Sequence, residues 1–275
     1  MNSKPDNVSN LKILENAGPA NAPKRAKSPV TAGVPMVKLI KRKLAVDEEI
    51  VMLSQPRSLA SERFRRLKTM LVNDPEESPQ VIVVTSGAAN EGKSLVSINL
   101  ALAFAADTEG ETLLIDADLR RPTVDRRLSP EPKLGLHELL TGRTVTEHTL
   151  IELQNTPLRI LPAGGRTSDP VELLASEMAK KLITSLRERF TRIIIDTPPI
   201  VPFTDADVVG SYADGILVVA RAGRTRRAML QQAIQSATST RVIGAVLNDA
   251  TYSLADREGY YHDREYYRYY DRGGK

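Results

Sequence analysis

The chain has 275 residues, a formal net charge of +4, 41% hydrophobic and 26% charged residues, and no Cys. That apolar content excludes a wholly disordered chain, and the length allows one large domain or two small ones. The missing Cys excludes disulfides, thiolate nucleophiles and Cys-ligated metals, and the three His are too few for a His-rich metal site.

No apolar run approaches the ~18 residues that span a bilayer, and the N-terminal MNSKPDNVSN has no apolar core of a secretory signal. A cytoplasmic location is the expectation. The charge is uneven: residues 1–75 hold 14 basic and 7 acidic side chains, and the remainder holds 24 and 27. The larger part is slightly acidic, which argues against nucleic acid as a partner.

Residues 1–35 contain five Pro among Asn, Ala, Ser and Lys without periodicity, the composition of a solvated arm. Met36–Leu44 mixes apolar and basic residues and reads as linker or as a short stretch touching an anionic membrane surface. From Ser58 the pattern changes. Ala60, Phe64, Leu67 and Leu71 recur at helical spacing, so 58–73 is predicted to be an amphipathic helix with Ser58 as N-cap.

Apolar strands then alternate with helical segments. Strands are predicted at Val81–Thr85, Thr112–Ile115, Leu158–Leu161, Arg192–Ile195, Gly215–Ala220 and Val242–Leu247, and helices at Lys93–Ala106 and near Leu134–Leu140, Pro170–Arg189 and Thr225–Ala237. Near-continuous Ile, Val and Leu strands separated by helices require a mostly parallel sheet covered on both faces, a doubly wound α/β fold. Seven of the eight Tyr fall in the last 25 residues, a segment without helical or strand period, read as a flexible Tyr-rich tail. The expected organisation is a disordered basic arm over 1–57, an α/β body over 58–250 and the tail over 251–275.

The strongest chemical signal is Gly87-Ala88-Ala89-Asn90-Glu91-Gly92-Lys93-Ser94, a complete G-x-x-x-x-G-K-[ST] between a predicted strand and a predicted helix. Such a loop turns its N–H groups toward phosphate oxygens at a helix N-terminus. Lys93 reaches the β and γ phosphates, Ser94 ligates Mg²⁺, and Leu95 follows at the start of the helix. A nucleoside triphosphate with Mg²⁺ is the expected ligand. Three carboxylates end strands nearby: Asp116 and Asp118 after Leu113–Ile115, and Asp196 after Ile193–Ile195. In an open α/β sheet all three converge on the phosphate loop, where they can hold Mg²⁺ or take a proton. The structural alternative, strongest for Asp118, is that they cap the next turn or helix.

Taken together, TSGAANEGKS, LLIDADLRRP and IIIDTPP resemble the Walker A, A′ and B motifs of the bacterial tyrosine kinases of capsule and exopolysaccharide synthesis, the BY-kinase family. Leu161-Pro162-Ala163-Gly164 with Pro170–Leu174 resembles a further family segment. Glu62, Arg65 and Lys68 resemble the oligomerisation helix, although Lys68 replaces the usual Arg and loses its bidentate fork. Ala88-Ala89-Asn90 replaces a Pro-containing loop common in the family.

The resemblance, which covers roughly residues 58–275, implies a P-loop NTPase fold and an ATP-dependent tyrosine autokinase. Lys93, Asp116 and Asp118 would be catalytic, with Asp116 the first choice of base and Asp118 the second. Ser94, Asp118 and Asp196 would hold Mg²⁺. Asn248 stands where relatives in the superfamily bond adenine, with an ordinary strand-end Asn as the alternative. Tyr260, Tyr261, Tyr266, Tyr267, Tyr269 and Tyr270 would be acceptors, modified in trans within a homo-oligomeric ring. The implied partners are a membrane activator of the chain-length-regulator type, which recruits this split form to the inner face of the membrane, and a phosphotyrosine phosphatase. A MinD-like positioning ATPase is the nearest rival, but Ala88 stands where its signature Lys is expected. An inactive nucleotide-binding scaffold is the second.

Overall fold

The alternation of apolar strands and helices becomes one eight-stranded sheet. The computed structural model describes residues 40–42, 47–73, 78–107, 110–128, 134–143, 149–153 and 156–250. The expectations for residues 1–39 and for the Tyr-rich tail, including all six acceptor tyrosines, lie outside the described residues. In chain order the elements are β1 (Ile40–Arg42), α1 (Val51–Ser54), α2 (Leu59–Val72), β2 (Val81–Ser86), α3 (Lys93–Ala105), β3 (Thr112–Asp116), α4 (Val124–Leu128), α5 (Leu136–Leu140), β4 (Ile151–Leu153), β5 (Leu158–Leu161), α6 (Pro170–Leu174), α7 (Glu177–Arg189), β6 (Arg192–Asp196), α8 (Asp205–Gly210), β7 (Gly215–Arg221), α9 (Arg227–Ser236) and β8 (Val242–Asn248).

The strand order is β1-β4-β5-β3-β6-β2-β7-β8, and every pairing is parallel except β4 with β5. Strand side chains alternate between two cores, as a pleated sheet covered on both sides demands. Val81, Val83, Leu113, Ile115, Ile193 and Ile195 join Leu174, Ile183, Leu186 and Phe190 on one face. Ile82, Val84, Leu114 and Ile194 join Ile98, Leu102 and Phe104 of α3 on the other. This is the doubly wound fold expected from the sequence. α3 is buried almost all round because α1 and α2 cover the side turned away from the sheet.

Three local differences from expectation have physical causes. The ordered body begins before Ser58: Ile50 is fully buried and Met52 nearly so, and Asn99 of α3 accepts the Met52 amide at 3.1 Å while its Nδ2 donates to the Glu49 carbonyl. A four-residue helix is too short to show a period, so α1 was hidden in the stretch read as arm; β1, at three residues, was hidden in the same way. Within α2, Ser58 caps as predicted, its Oγ accepting the Ser61 amide at 3.3 Å, but Ala60 is exposed and Ser61 takes the buried place. The Ser61 hydroxyl contacts the Val51 and Gln55 carbonyls, which ties α2 to α1. The single helix expected over 170–189 is two, because Ser176 caps α7 by accepting the Ala179 amide at 3.2 Å.

Candidate active site

The phosphate loop leaves β2 at Ser86 and enters α3 at Lys93. Gly92 has φ +91°, and a Cβ there would stand 2.0 Å from Asn248 Nδ2, so both backbone sign and space require glycine. Asn248, from the end of β8, donates from Nδ2 to the Glu91 carbonyl at 3.1 Å. The Glu91 carboxylate is buried under the loop, where it accepts the Ala88 amide at 3.0 Å and the Thr225 hydroxyl. Sequence reading placed Glu91 among the nucleotide contacts; the geometry makes its side chain an internal brace.

Lys93 Nζ donates to Asp118 Oδ2 at 2.9 Å. Burial alone would lower the lysine's pKa, but the Asp196, Asp118 and Asp116 carboxylates outweigh it and hold the ammonium above its ordinary value. Asp118 also accepts the Arg121 amide on Oδ1 at 2.9 Å. Lys93, Ser94, Asp118 and Asn248 line one open cleft of about 820 Å³, together with Ala89, Asn90, Gly92 and Leu95 of the loop.

Asp116 is not in that cleft. It is fully buried, its Oδ1 accepts the Asp118 amide at 3.1 Å, and its Oδ2 accepts the amides of Thr123 and Val124 at 3.2 and 3.1 Å. With both oxygens engaged by backbone donors and no place in the cleft, Asp116 in this conformation organises its loop and does not stand as the cleft-facing base. The Thr123 hydroxyl donates to Ser94 Oγ at 2.7 Å, so the same loop also holds the magnesium-ligand candidate.

Asp196, the register partner of Asp116 across β3 and β6, is fully buried. Its Oδ1 accepts the Ser97 hydroxyl at 3.0 Å, and its Oδ2 meets no hydrogen-bond partner among the described residues. Burial raises its pKa to about 6, opposed chiefly by the Lys93 ammonium. An orphaned buried acceptor is what a site completed by a ligand leaves behind. Ser94, Asp118 and Asp196 form a hard oxygen donor set that suits Mg²⁺, which takes one or two carboxylates and fills its remaining positions with phosphate and water. Among the described residues no group of three or more His or acidic side chains forms a metal cage by itself.

Sequence reading missed the far wall of the cleft. Arg120 binds the fully buried Asp205 through Nε and Nη2 at 3.0 to 3.2 Å and stacks 4.3 Å over the Phe203 ring. Arg120 and Asp205 are 85 residues apart, so no local pattern announces the pair. Of the proposed oligomerisation set, Arg65 pairs with Glu62 and donates to the Pro56 carbonyl at 2.7 Å, and Lys68 pairs with Asp107 at 2.5 Å. None of the three lines the cleft.

A phosphate loop, an anchored lysine and strand-end carboxylates on a doubly wound sheet define a P-loop nucleotide-binding site of the phosphoryl-transfer class. The chain belongs to the bacterial tyrosine-protein kinases associated with capsule and exopolysaccharide synthesis. It is 31% identical over 219 residues to the tyrosine-protein kinase YwqD of Bacillus subtilis (strain 168), which covers 78% of this chain and 92% of that protein. It is 33% identical over 228 residues to the succinoglycan biosynthesis transport protein ExoP of Rhizobium meliloti, 80% of this chain but 28% of that one. Among solved structures, the kinase domain of the Escherichia coli tyrosine kinase ETK aligns with a TM-score of 0.72 at 26% identity, covering 78% of this chain and 84% of that one. No family model matches the chain. The septum site-determining protein MinD of Pyrococcus horikoshii, at 21% identity and a TM-score of 0.52, shares the fold alone. Among the described residues no helix is long and apolar enough to cross a membrane.

Proposed function

We propose that this chain is an ATP- and Mg²⁺-dependent protein tyrosine autokinase that modifies its own C-terminal tyrosines in trans and thereby regulates polymerisation or export of an extracellular polysaccharide. The observation that carries the reading is the Lys93–Asp118 ion pair facing the cleft beside the orphaned Asp196 oxygen, in a chain with seven of its eight tyrosines between residues 252 and 270.

Mg²⁺ held there would supply charge neutralisation for the phosphates and the developing transition state. The protein's residues do the rest. Loop amides and the N-terminus of α3 bind the phosphates, Lys93 follows the charge that develops on the transferred group, and Ser94, Asp118 and Asp196 hold the metal. A tyrosine hydroxyl, with an ordinary pKa near 10, needs a carboxylate to receive its proton at neutral pH. Asp116 becomes available for that role when the amides of Thr123 and Val124 leave its Oδ2. The same displacement takes the Thr123 hydroxyl off Ser94, so release of the base and release of the metal-ligand candidate are coupled through Thr123.

Each phosphotyrosine adds roughly −1.5 to −2 charge, which favours release of the modified tail from its neighbour and disassembly of a ring joined through Glu62, Arg65 and Lys68. A membrane activator of the chain-length-regulator type and a phosphotyrosine phosphatase complete the cycle, and the activator brings the chain to the inner membrane face. The test is incubation of the purified chain with ATP and Mg²⁺, with and without the cytosolic segment of such an activator. Phosphotyrosine in either arm supports the reading. ATP hydrolysis without phosphotyrosine in both arms moves it to a positioning ATPase, and binding without turnover moves it to a scaffold.

A further inference from the structure

The geometry points to an acceptor-ring subsite in the cleft, a flat wall of Phe203 braced by Arg120, on which the incoming tyrosine side chain seats. The inference rests on the tyrosine-kinase reading and names a part of its site that the phosphate-binding residues do not account for.

Strand order gives the direction. The phosphate loop follows β2, with β7 and β8 on one side of it and β6 and β3 on the other. Asn248 and Arg221 enter the cleft from the β7–β8 side. Lys93 turns toward Asp118 from the end of β3, so the phosphoryl group that the lysine follows lies toward the β3–β6 side, and its acceptor must approach from there.

On that side the lining has two parts. Arg120, Arg121, Arg126 and Arg127 follow β3, and the connection after β6 contributes Pro198, Pro199, Pro202 and Phe203. Phosphate gains from the arginines but nothing from the Pro and Phe surface; an aromatic ring gains from that surface through stacking and apolar burial. Phe203 is half-buried, and its ring is braced by a guanidinium that buried Asp205 holds through two nitrogens. A ring fixed in this way loses little rotamer freedom when it binds. The occupant is specified by the chain itself, since Tyr260, Tyr261, Tyr266, Tyr267, Tyr269 and Tyr270 lie within eleven residues. The wall selects a ring; a serine or threonine side chain offers it nothing to stack.

The experiment uses the full-length chain with those six tyrosines changed to Phe, so that it cannot consume its own tail, and a synthetic peptide of residues 256–272 as acceptor. Phe203→Ala is expected to raise the KM for the peptide about tenfold while leaving the KM for ATP within twofold of the parent, and Phe203→Tyr is expected to restore it. Arg120→Lys, which keeps the charge but loses the planar stack, is expected to raise the peptide KM as well. A peptide KM unchanged in Phe203→Ala overturns the subsite. So does a rise that Phe203→Tyr fails to reverse, or an equal rise in the KM for ATP. Failure of the kinase reading is separately visible, because the six-Phe chain with Phe203 in place would then transfer no phosphate to the peptide, and the unaltered chain none to its own tail.

Discussion

The Thr123 hydroxyl donates to Ser94 Oγ at 2.7 Å while the Thr123 amide donates to Asp116 Oδ2 at 3.2 Å. One residue thus holds both the side chain that would ligate magnesium and the carboxylate that would take the acceptor's proton. The loop after β3 ties the two candidate groups to one residue.

Thr123→Val removes the hydroxyl and keeps the amide. A hydrogen bond of about 1 kcal/mol lost only from the idle state corresponds to a roughly fivefold easier loading. The Mg²⁺ concentration giving half-maximal ADP binding should fall by about that factor, read by calorimetry across a Mg²⁺ series, while ADP affinity without Mg²⁺ stays the same. An unchanged Mg²⁺ requirement contradicts the loop's part in gating Ser94.

The loop arrangement also shows where the sequence stops being legible. The phosphate loop, the lysine and the three carboxylates follow from spacing and strand ends alone, because strand, glycine turn and helix are local patterns. So does the doubly wound sheet, since its central strands are apolar throughout. Asp116 and Asp118 are one residue apart, and only the turn between β3 and α4 decides which faces the cleft. Ala60 and Ser61 differ by one helical step, and a period read from four apolar residues does not fix that phase. The Arg120–Asp205 pair joins the loop after β3 to the first residue of α8 and leaves no local trace.

Asp196→Asn removes a buried charge whose Oδ2 meets no hydrogen-bond partner among the described residues. Since burial raises that carboxyl to about 6, the neutral amide should stabilise the apo fold at pH 7 by roughly 1–3 kcal/mol, seen as a higher Tm. The same change should abolish the extra stabilisation that Mg²⁺ gives to nucleotide binding. A lower Tm would mean that Asp196 contributes a structural bond that the amide cannot replace.

Asn248→Ala tests what the strand-end amide does. Its observed bond is to the Glu91 carbonyl of the phosphate loop, so its loss should weaken ATP and GTP by the same factor, about three- to tenfold for one such bond. Fluorescence titration of both nucleotides gives the ratio. A loss confined to ATP would assign the amide to the adenine base.

Asp214 accepts the amides of Gln80 and Val81 at 2.8 and 2.7 Å and pairs with Arg187 at 2.8 Å. Burial alone would raise its pKa, but the Arg187 pairing and those amides hold it below the ordinary carboxylate value. A depressed folded-state pKa gives stability that is present above the unfolded value and lost as pH falls through the folded one. Asp214→Ala should cost about 1–3 kcal/mol at pH 7, and progressively less as pH falls below the ordinary carboxylate range. Urea unfolding at several pH values reads the difference. A cost independent of pH would place the loss in packing.

The measurement that bears most directly on the central claim mixes two chains, neither of which can modify its own tail. One is the Lys93→Met chain, which keeps its tail and cannot transfer phosphate. The other keeps Lys93 but has Tyr260, Tyr261, Tyr266, Tyr267, Tyr269 and Tyr270 changed to Phe. After incubation with ATP, Mg²⁺ and the activator's cytosolic segment, mass spectrometry should find phosphate on the tail tyrosines of the Lys93→Met chain in the mixture and on neither chain alone. No phosphotyrosine in the mixture, under conditions where the unaltered chain modifies itself, would contradict transfer between subunits; none in the unaltered chain either would contradict the tyrosine kinase itself.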